Sequence, residues 1–357
     1  WSLGYISNID PLMYKLVWWA MGHSSQQINV SAHVSIWYAV AAILLGAKPL
    51  SEKASRLAFL LYIFFLQLAS AHHLLVEPGV GSEWKIFNTS YAMYLAVLGS
   101  MIHAMTVPGT IEAAQRRRGF NKGMFEWLRK APWGNPAFSG VFMSLVMFGF
   151  LGGISGVVLG TEQINLIMHN TLYVPGHFHA TVVTGTTLTF MAVTYLLIPL
   201  LFQREIMFPR RAKWQPYVFA IGAAGISLFM MGAGTLGVPR RHWDITFADA
   251  IFPYQIPSAG FLMMALNGIS AVFAATGGIM YIVNVVASVF FGKRTADAPA
   301  KASAPEPVMA RPVVAEYGSA GTMYIPGTIF LVGVFFVSFV LYYFVNWKYL
   351  AEVWPLR

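Results

Sequence analysis

The sequence contains no cysteine, which excludes disulfide bonds and thiolate-bound clusters anywhere in its 357 residues. Any metal ion must therefore be held by histidine, carboxylate or backbone oxygen. Charged residues are also few, at 10% of the chain, against about 25% in soluble domains. Hydrophobic residues make up 57%, so the composition predicts a polytopic membrane protein. The net charge of +9 then indicates cytoplasmic loops beside a lipid bilayer, and it gives no argument for binding nucleic acid.

Apolar runs of about 20 residues, enough to cross the hydrocarbon layer, predict an all-α bundle of eight transmembrane helices. Residues 1–357 are expected to form a single transmembrane domain. Within it, the segment 293–320 is rich in Ala and Pro and is expected to be a flexible cytoplasmic loop. The predicted helix limits are 11–46, 54–76, 86–115, 136–160, 163–201, 215–237, 257–291 and 322–346.

Lysine and arginine are concentrated on one side of the predicted bundle. That side holds 17 of the 23 basic residues, in the loops 47–56, 116–130, 202–213 and 293–320. Because cytoplasmic loops carry the excess of positive charge, this side is predicted to be cytoplasmic. The His72–His73 pair, His169 and the Arg240–Arg241 pair then lie towards the outer half of the membrane.

The segment HNTLYVPGHFH, residues 169–179, places three histidines in an apolar run. One isolated histidine at membrane depth often only hydrogen-bonds a neighbouring helix, but a set of them indicates function. His177 and His179 are two residues apart, so helix geometry puts them about 200° apart. They therefore cannot share one metal ion. They can each reach a flat cofactor on opposite sides of the helix, and imidazole is a common axial ligand of heme iron.

A second group of histidines indicates a single-ion metal site. His72 and His73 are adjacent near the end of their predicted helix, and they can meet one ion if that helix end distorts. His23 supplies a third imidazole from another helix, and three imidazoles without a carboxylate suit copper. His33 is interpreted as a packed polar residue. His242, beside the arginines, is either interfacial or part of the site.

Four motifs, in this order along the chain, resemble the catalytic subunit of heme–copper oxidoreductases, and the B-type branch is the most similar. They are WWAMGH (Trp18–His23), the His72–His73 pair, HNTLYVPGHFH (169–179) and VPRR (Val238–Arg241). The resemblance runs through nearly the whole chain and implies that its helices are the sixth to the thirteenth of that fold. Earlier helices are then expected in a preceding part of the polypeptide or in a separate chain. The implied location is the prokaryotic inner (cytoplasmic) membrane, as a multi-pass protein of a respiratory chain.

The resemblance implies a metal or heme for each of five histidines. His23, His72 and His73 would bind copper. His177 would be the axial ligand of a high-spin heme that binds the substrate. His179 would be one ligand of a low-spin heme, whose second axial ligand comes from outside this chain.

The resemblance also implies partners for the hemes. Arg240 and Arg241 would pair with heme propionates, as two arginines at a membrane edge require carboxylates. His169 and Asn170 would join them as propionate or water-network residues. An electron-donating subunit, of the cupredoxin or cytochrome c type, is expected on the outer face.

Gln27 is the most informative departure from the family's pattern. Oxygen-reducing members carry a tyrosine four residues after the first copper histidine, covalently joined to it, and usually a proline directly after that histidine. Here these positions are Gln27 and Ser24. One-step O–O cleavage takes four electrons, of which two metals supply three and the phenol the fourth, and glutamine has no accessible redox state. Reduction of two NO molecules to N2O takes only two electrons and two protons.

The sequence therefore predicts nitric oxide reduction, with Gln27 able to hydrogen-bond a bound NO. The alternative is a terminal oxygen reductase that has lost its phenol or finds it elsewhere. A non-catalytic heme protein that only relays electrons is a third possibility, which does not require the three copper-type histidines. Known nitric oxide reductases carry iron and add glutamates at the second metal site. In this sequence only Glu77 is a candidate for such a glutamate, and it is a weak one. Copper is therefore predicted at the second metal site.

A polar stripe predicts a proton path to the buried site. Ser100, His103 and Thr106 stand at i, i+3 and i+6, so they share one face of their helix. Tyr38 lies at a compatible depth on the first helix. The set resembles the single proton path of the B-type branch. Hydrogen bonding between helices by small polar residues is the alternative reading.

Overall fold

The structure, a computed structural model, describes residues 2–241, 254–295 and 324–353. Over these ranges every regular element is helical, apart from two isolated β-bridges. Seven helices are long and apolar enough to cross a membrane, which confirms the predicted all-α class. The helices are α1 (Pro11–Leu45), α2 (Glu52–Leu61), α3 (Ser82–Arg117), α4 (Glu126–Arg129), α5 (Pro136–Gly160), α6 (Glu162–Met168), α7 (Tyr173–Phe202), α8 (Pro209–Thr235), α9 (Ser258–Phe291) and α10 (Pro326–Val353).

The predicted span 54–76 is helical but not one regular helix, so seven spanning helices replace the eight predicted. After α2 the chain continues as a wide π-helical turn, Tyr62–Leu66, and then as a tight 3-10 turn, Ala69–His73. The 3-10 turn is more tightly wound than an α-helix. It ends at His72 and His73, whose side chains can reach one ion only if the end of the helix is distorted.

The predicted helix 163–201 is wrong in one respect, because it is two helices. α6 ends at Met168 and α7 begins at Tyr173. The backbone between them bonds a distant segment instead of itself. The Leu172 N–H donates to the Val238 carbonyl at 2.9 Å, and the Arg240 N–H donates to the Asn170 carbonyl at 2.9 Å. These bonds to a distant segment interrupt the predicted helix.

The remaining predicted limits differ from the observed helices by a few residues. The largest differences are at α10, which ends at Val353 and not at 346, and at α8, which begins at Pro209 and not at 215. Proline is well suited to the first turn of a helix. Of the loop 293–320, only residues 293–295 are described, and the rest lies outside the described residues, as does His242.

Close packing between α8 and α9 depends on glycine. A Cβ added to Gly222 would lie 2.2 Å from the Ala274 nitrogen, and one added to Gly277 would lie 2.6 Å from the Phe219 nitrogen. Small residues let membrane helices approach in this way. Burial is only 22% and 11% for the most apolar windows of α9 and α10, against 39–50% for the other spans. These two helices therefore lie at the edge of the bundle.

A buried carboxylate anchors α10 to α3. Glu112 is fully buried, and it accepts hydrogen bonds from the backbone N–H groups of Gly327 at 3.1 Å and Thr328 at 2.6 Å. Arg116 donates to it at 2.8 Å. An acidic group is favourable at a helix N-terminus, where the backbone donors are otherwise unpaired. The contact fixes the last helix against the helix that carries the polar stripe.

Candidate metal and cofactor site

Three histidines from α1 and from the turn after α2 meet at one point. One ligand nitrogen from each of His23, His72 and His73 lies within 4.8 Å of the others, and the ring centroids are 4.2 to 5.2 Å apart. A small inward movement would bring all three within bonding distance of one ion, about 2.0–2.1 Å for imidazole. His72 and His73 each have a buried ring nitrogen without a hydrogen-bond partner. Such a nitrogen is costly to bury unless something binds it, so the group fits a metal ion.

The ring of His73 is held in place by stacking. The Trp19 ring lies 3.9 Å from it, centroid to centroid, and only 4° from parallel. Trp19 is four residues before His23 on α1, so one helix both supplies a ligand and orients another. This contact gives the WW of the WWAMGH motif a structural role.

The three histidines line one cavity, the main cavity. His177 lines the same cavity from α7, together with Gln27 and three glycines of α5, Gly152, Gly153 and Gly156. A flat cofactor bound to His177 can therefore face an ion held by the three histidines.

His177 is arranged to bind a metal through its outer nitrogen. Its Nδ1 lies 2.9 Å from the Ser155 hydroxyl, and that hydroxyl also contacts the Leu151 carbonyl oxygen. Because the serine gives its one hydrogen to the carbonyl, it accepts from His177 Nδ1–H. The Nε2 lone pair is then left available to a ligand, and Ser155 fixes the orientation of the ring. Gly156 leaves room for that ring, since a Cβ there would approach His177 Cε1 to 3.1 Å.

The ring of His179 is likewise held by a hydrogen bond at Nδ1, on the other side of α7. Its Nδ1 lies 2.7 Å from the Pro175 carbonyl oxygen. A carbonyl only accepts, so Nδ1 carries the hydrogen and Nε2 carries the lone pair. His179 lines neither of the two cavities that His177 lines. Opposite faces for the two rings agree with the two-residue spacing.

Gln27 contacts the metal-type histidine of its own helix. Its side-chain amide lies 3.0 Å from His23 Nε2. An ion on His23 Nδ1 would leave a hydrogen on Nε2, and the Gln27 amide, rotated by half a turn, would accept it through its carbonyl oxygen. The four-residue offset already predicts that the two side chains share one face of α1.

A second cavity is lined by His72, His73 and His177 on one side, and by the predicted arginine pair and His169 on the other. Burial, together with the charge of Arg241, lowers the pKa of Arg240 to about 10. Burial, together with the charge of Arg240, lowers the pKa of His169 to about 4. Among the described residues no carboxylate pairs with either arginine, and Arg240 Nε is buried without a partner. The cavity therefore fits anionic groups such as heme propionates.

Asn170 does not line this cavity. Its side chain is exposed, and its contact with the site is the backbone bond to Arg240. Asn165 lines the cavity instead. It donates to the Leu159 carbonyl at 2.6 Å, and its own buried amide oxygen has no partner.

His33 lies apart from the metal-type cluster. It is fully buried, its Nδ1 is 3.1 Å from the Thr186 hydroxyl, and its ring packs 4.7 Å from both Trp37 and Phe148. These contacts agree with its interpretation as a packed polar residue.

The predicted proton-path residues form two hydrogen-bonded groups. The Tyr38 hydroxyl lies 3.0 Å from His103 Nδ1, 2.5 Å from the Thr106 hydroxyl and 3.0 Å from the Ser55 hydroxyl. Ser100 bonds the Tyr62 hydroxyl instead, at 3.0 Å. Ser55 and Tyr62 were not predicted, because both stand on the segment after residue 51 and no spacing links them to α3.

The sequence matches a known family over most of its length. The family described as "Cytochrome C and Quinol oxidase polypeptide I" matches residues 1–266. The chain belongs to the heme–copper oxidase subunit I family. Cytochrome c oxidase subunit 1 of Thermus thermophilus is 31% identical over 310 residues, which cover 86% of this chain and 53% of that protein. The probable quinol oxidase subunit 1 of Staphylococcus aureus is 22% identical over 294 residues, which cover 80% of this chain and 39% of that protein.

The fold of this family agrees with the observed bundle. A heme–copper terminal oxidase dimer solved by cryo-EM contains a chain that superposes with a TM-score of 0.75 at 29% identity, over 82% of this chain and 52% of that one. The chain thus spans about half the length of these relatives. Members of the family normally bind hemes and copper. The imidazole nitrogens, the cavity between them and the unpaired arginines fit those groups.

Proposed function

We propose that this chain carries the metal site of a heme–copper reductase in the respiratory chain of a prokaryotic inner membrane. The observation that carries the proposal is the meeting of His23, His72 and His73 across one cavity from His177. The histidines would hold copper, and His177 a high-spin heme, which when bound supply electrons and a binding place for a small gas. The protein contributes the fixed ring orientations.

His179 would bind a low-spin heme on the opposite face of α7. Its second axial ligand would come from outside this chain, either from earlier helices or from a separate chain. Arg240, Arg241 and His169 would pair with the heme carboxylates at the second cavity. An electron-donating subunit of the cupredoxin or cytochrome c type would dock on the outer face, near these groups.

Nitric oxide is the substrate that the residues at the cavity favour: 2 NO + 2 e⁻ + 2 H⁺ → N2O + H2O. Gln27, which cannot be oxidised, contacts the histidine that a tyrosine would modify in oxygen-reducing relatives. No tyrosine is among the described residues that line this cavity. This supports a site that works without the phenol that one-step O–O cleavage requires.

Oxygen reduction is the second candidate, and the relatives favour it. Those that match over most of this chain are named cytochrome c oxidase and quinol oxidase, and the superposed structure is a terminal oxidase. On the names of its relatives alone, this chain would reduce oxygen to water with proton translocation. The two candidate reactions would use the same metal and heme ligands. Gln27 is the residue that favours one reaction over the other.

Copper is favoured over iron at the second metal site, because the one nearby carboxylate is already occupied. Both oxygens of Glu77 are bound by Lys15 Nζ, at 2.8 and 2.7 Å. Glu77 would have to break this ion pair to become an oxygen ligand. A site of three imidazoles without a carboxylate suits copper.

The polar chain of Tyr38, His103, Thr106 and Ser100 would bring the protons. Its two groups of hydrogen bonds run along α3 and end at Ser100, which lines the main cavity. Both reactions consume protons at that cavity, so this part of the proposal holds for either gas.

The test is a turnover comparison on the intact complex, purified with its partner chains and supplied with an artificial electron donor. We expect anaerobic NO consumption with N2O release to be faster than oxygen consumption. Rapid oxygen reduction with little NO reduction would favour the second candidate. Turnover of neither gas, in a complex with full heme and copper content, would contradict the proposed function.

A further inference from the structure

A gap divides the polar chain at His103. On one side, the Tyr38 hydroxyl bonds Thr106, Ser55 and His103 Nδ1. On the other side, Ser100 opens onto the main cavity. Ser100 stands one turn before His103 on α3, but no hydrogen bond joins the two. His103 Nε2 is buried and has no hydrogen-bond partner.

Tyr62 occupies the gap from the neighbouring segment. Its side chain is 1% exposed, its ring centroid is 5.4 Å from that of His103, and its hydroxyl bonds Ser100 at 3.0 Å. Tyr62, His103 and Ser100 line one small cavity, which shares Ser100 and Val97 with the main cavity. The Tyr62 side chain thus contacts both His103 and Ser100, the residues at the two ends of the gap.

The other residues around this small cavity cannot carry a proton. Apart from Trp37, they are apolar or glycine within the described ranges. The Trp37 N–H is donated to the Thr189 hydroxyl at 2.9 Å, and an indole offers no acceptor. The three polar groups are enough to hold one bridging water, which needs two to four partners.

The hydrogen positions also suit a relay. The Thr106 hydroxyl donates to the Ile102 carbonyl at 2.8 Å, so it accepts from Tyr38. The Tyr38 oxygen then accepts from His103 Nδ1–H, and the lone pair of His103 is left on Nε2. An imidazole in this state can take a proton at Nε2, or pass one on after the ring changes tautomer.

We propose that Tyr62 is the relay residue that carries protons from His103 to Ser100 and into the main cavity. Each transfer is balanced, because Tyr62 gives one proton forward to Ser100 and receives one from the His103 side, through the bridging water. The proposal rests on the proposed function only in that a reaction at the cavity consumes protons.

Replacing Tyr62 by Phe in the intact complex tests the proposal. The variant keeps the ring and removes the relay hydroxyl, so we expect turnover to fall at least about tenfold, as when a positioned proton-transfer group is lost. Heme and copper content should not change, and the H2O/D2O rate ratio should rise. The matched control is Tyr195→Phe, since Tyr195 is also buried, at 4% exposure, and its hydroxyl bonds Gln215 away from the site. It should turn over at the wild-type rate.

A second variant covers the case in which Tyr62→Phe fails to assemble. Ser100→Ala removes the next hydroxyl and keeps the tyrosine, so it should slow turnover in the same way. If both variants assemble, the double variant should be no slower than the slower single one, because the two groups act in series.

Wild-type rate and isotope ratio in Tyr62→Phe, or in Ser100→Ala if only that variant assembles, would overturn the relay. The rate is measured with whichever gas the wild-type complex reduces. Failure of the proposed function, where the wild type reduces neither gas, is therefore distinct from failure of the relay.

Discussion

Two regions of this protein use buried histidine in opposite ways. Around the main cavity, His23, His72, His73 and His177 stand close together. Along α3, His103 contacts the Tyr38 hydroxyl, which bonds two further hydroxyls. Both regions lie inside the same bundle.

The difference lies in what the neighbours can do. Ser155, which contacts His177, gives its hydrogen to a backbone carbonyl, so the bonded chain stops there and the ring is simply held in place. Tyr38, which contacts His103, also bonds the Thr106 and Ser55 hydroxyls, so a chain of exchangeable protons continues from it. The residue type alone does not decide between metal binding and proton transfer. The following variants test this contrast, beginning with the largest expected effect.

Replacing His73 by Ala should remove the non-heme metal ion and abolish turnover. Losing a direct ligand should cost more than the roughly 10–100-fold that losing an outer-shell partner costs. Metal analysis of the purified complex measures the ion directly. The control is His33→Gln, a buried histidine that bonds Thr186, and it should keep the ion. Full copper content in His73→Ala would contradict the assignment.

Replacing His179 by Ala should remove the low-spin heme and leave the high-spin heme on His177. The two rings face opposite sides of α7, so the losses should be separable. Optical spectra of the oxidised and reduced complex distinguish the two hemes. Replacing His169 by Gln is the comparison, because His169 lines the cavity without being expected to bind iron. Loss of both hemes in an otherwise folded His179→Ala complex would count against separate sites.

Replacing Gln27 by Leu should weaken metal binding about 10–100-fold, since the amide is an outer-shell partner of His23. NO turnover should fall with it. Gln26→Leu is the control, as Gln26 lines the same cavity without being expected to orient His23. Unchanged metal affinity with slow turnover would mean that the amide acts on the substrate alone. Replacing Gln27 by Tyr should not by itself give fast oxygen reduction, because the covalent link to His23 must also form.

Replacing Tyr38 by Phe should give the smallest effect of the four, a fall in turnover of about tenfold. The hydroxyl joins His103 to Thr106 and Ser55, so its loss interrupts the chain without touching a metal ligand. Heme and copper content, measured beside the rate, should be those of the wild type. A wild-type rate in this variant would contradict the proton route and would make His103 a packed residue like His33.

Much of the site was predictable because spacing within one helix carries the information. The opposite faces of His177 and His179 follow from a two-residue offset, and the contact of Gln27 with His23 follows from a four-residue offset. Contacts between segments far apart in sequence leave no such pattern. Ser155 beneath His177 and Tyr62 beside Ser100 are examples, since each meets its partner only after the helices pack.

The helix limits show the same division. Long apolar runs gave the spans to within a few residues. The break between α6 and α7 could not be predicted, because it depends on backbone hydrogen bonds that join residues 169–172 to Val238 and Arg240, far away in the sequence. The distorted end at His72 and His73 was foreseen only because two adjacent side chains had to reach one ion.

The isolated bridge between Thr171 and Pro239 has a consequence for how this protein tolerates insertions. Successive residues of an extended segment point to opposite sides, so a slip of one residue reverses the direction of every side chain in it. One residue added between Gly237 and Pro239 would turn Arg240 away from the cavity while leaving the composition of the loop almost unchanged. The length of this short connection is therefore as strictly constrained as the identity of the histidines that it faces.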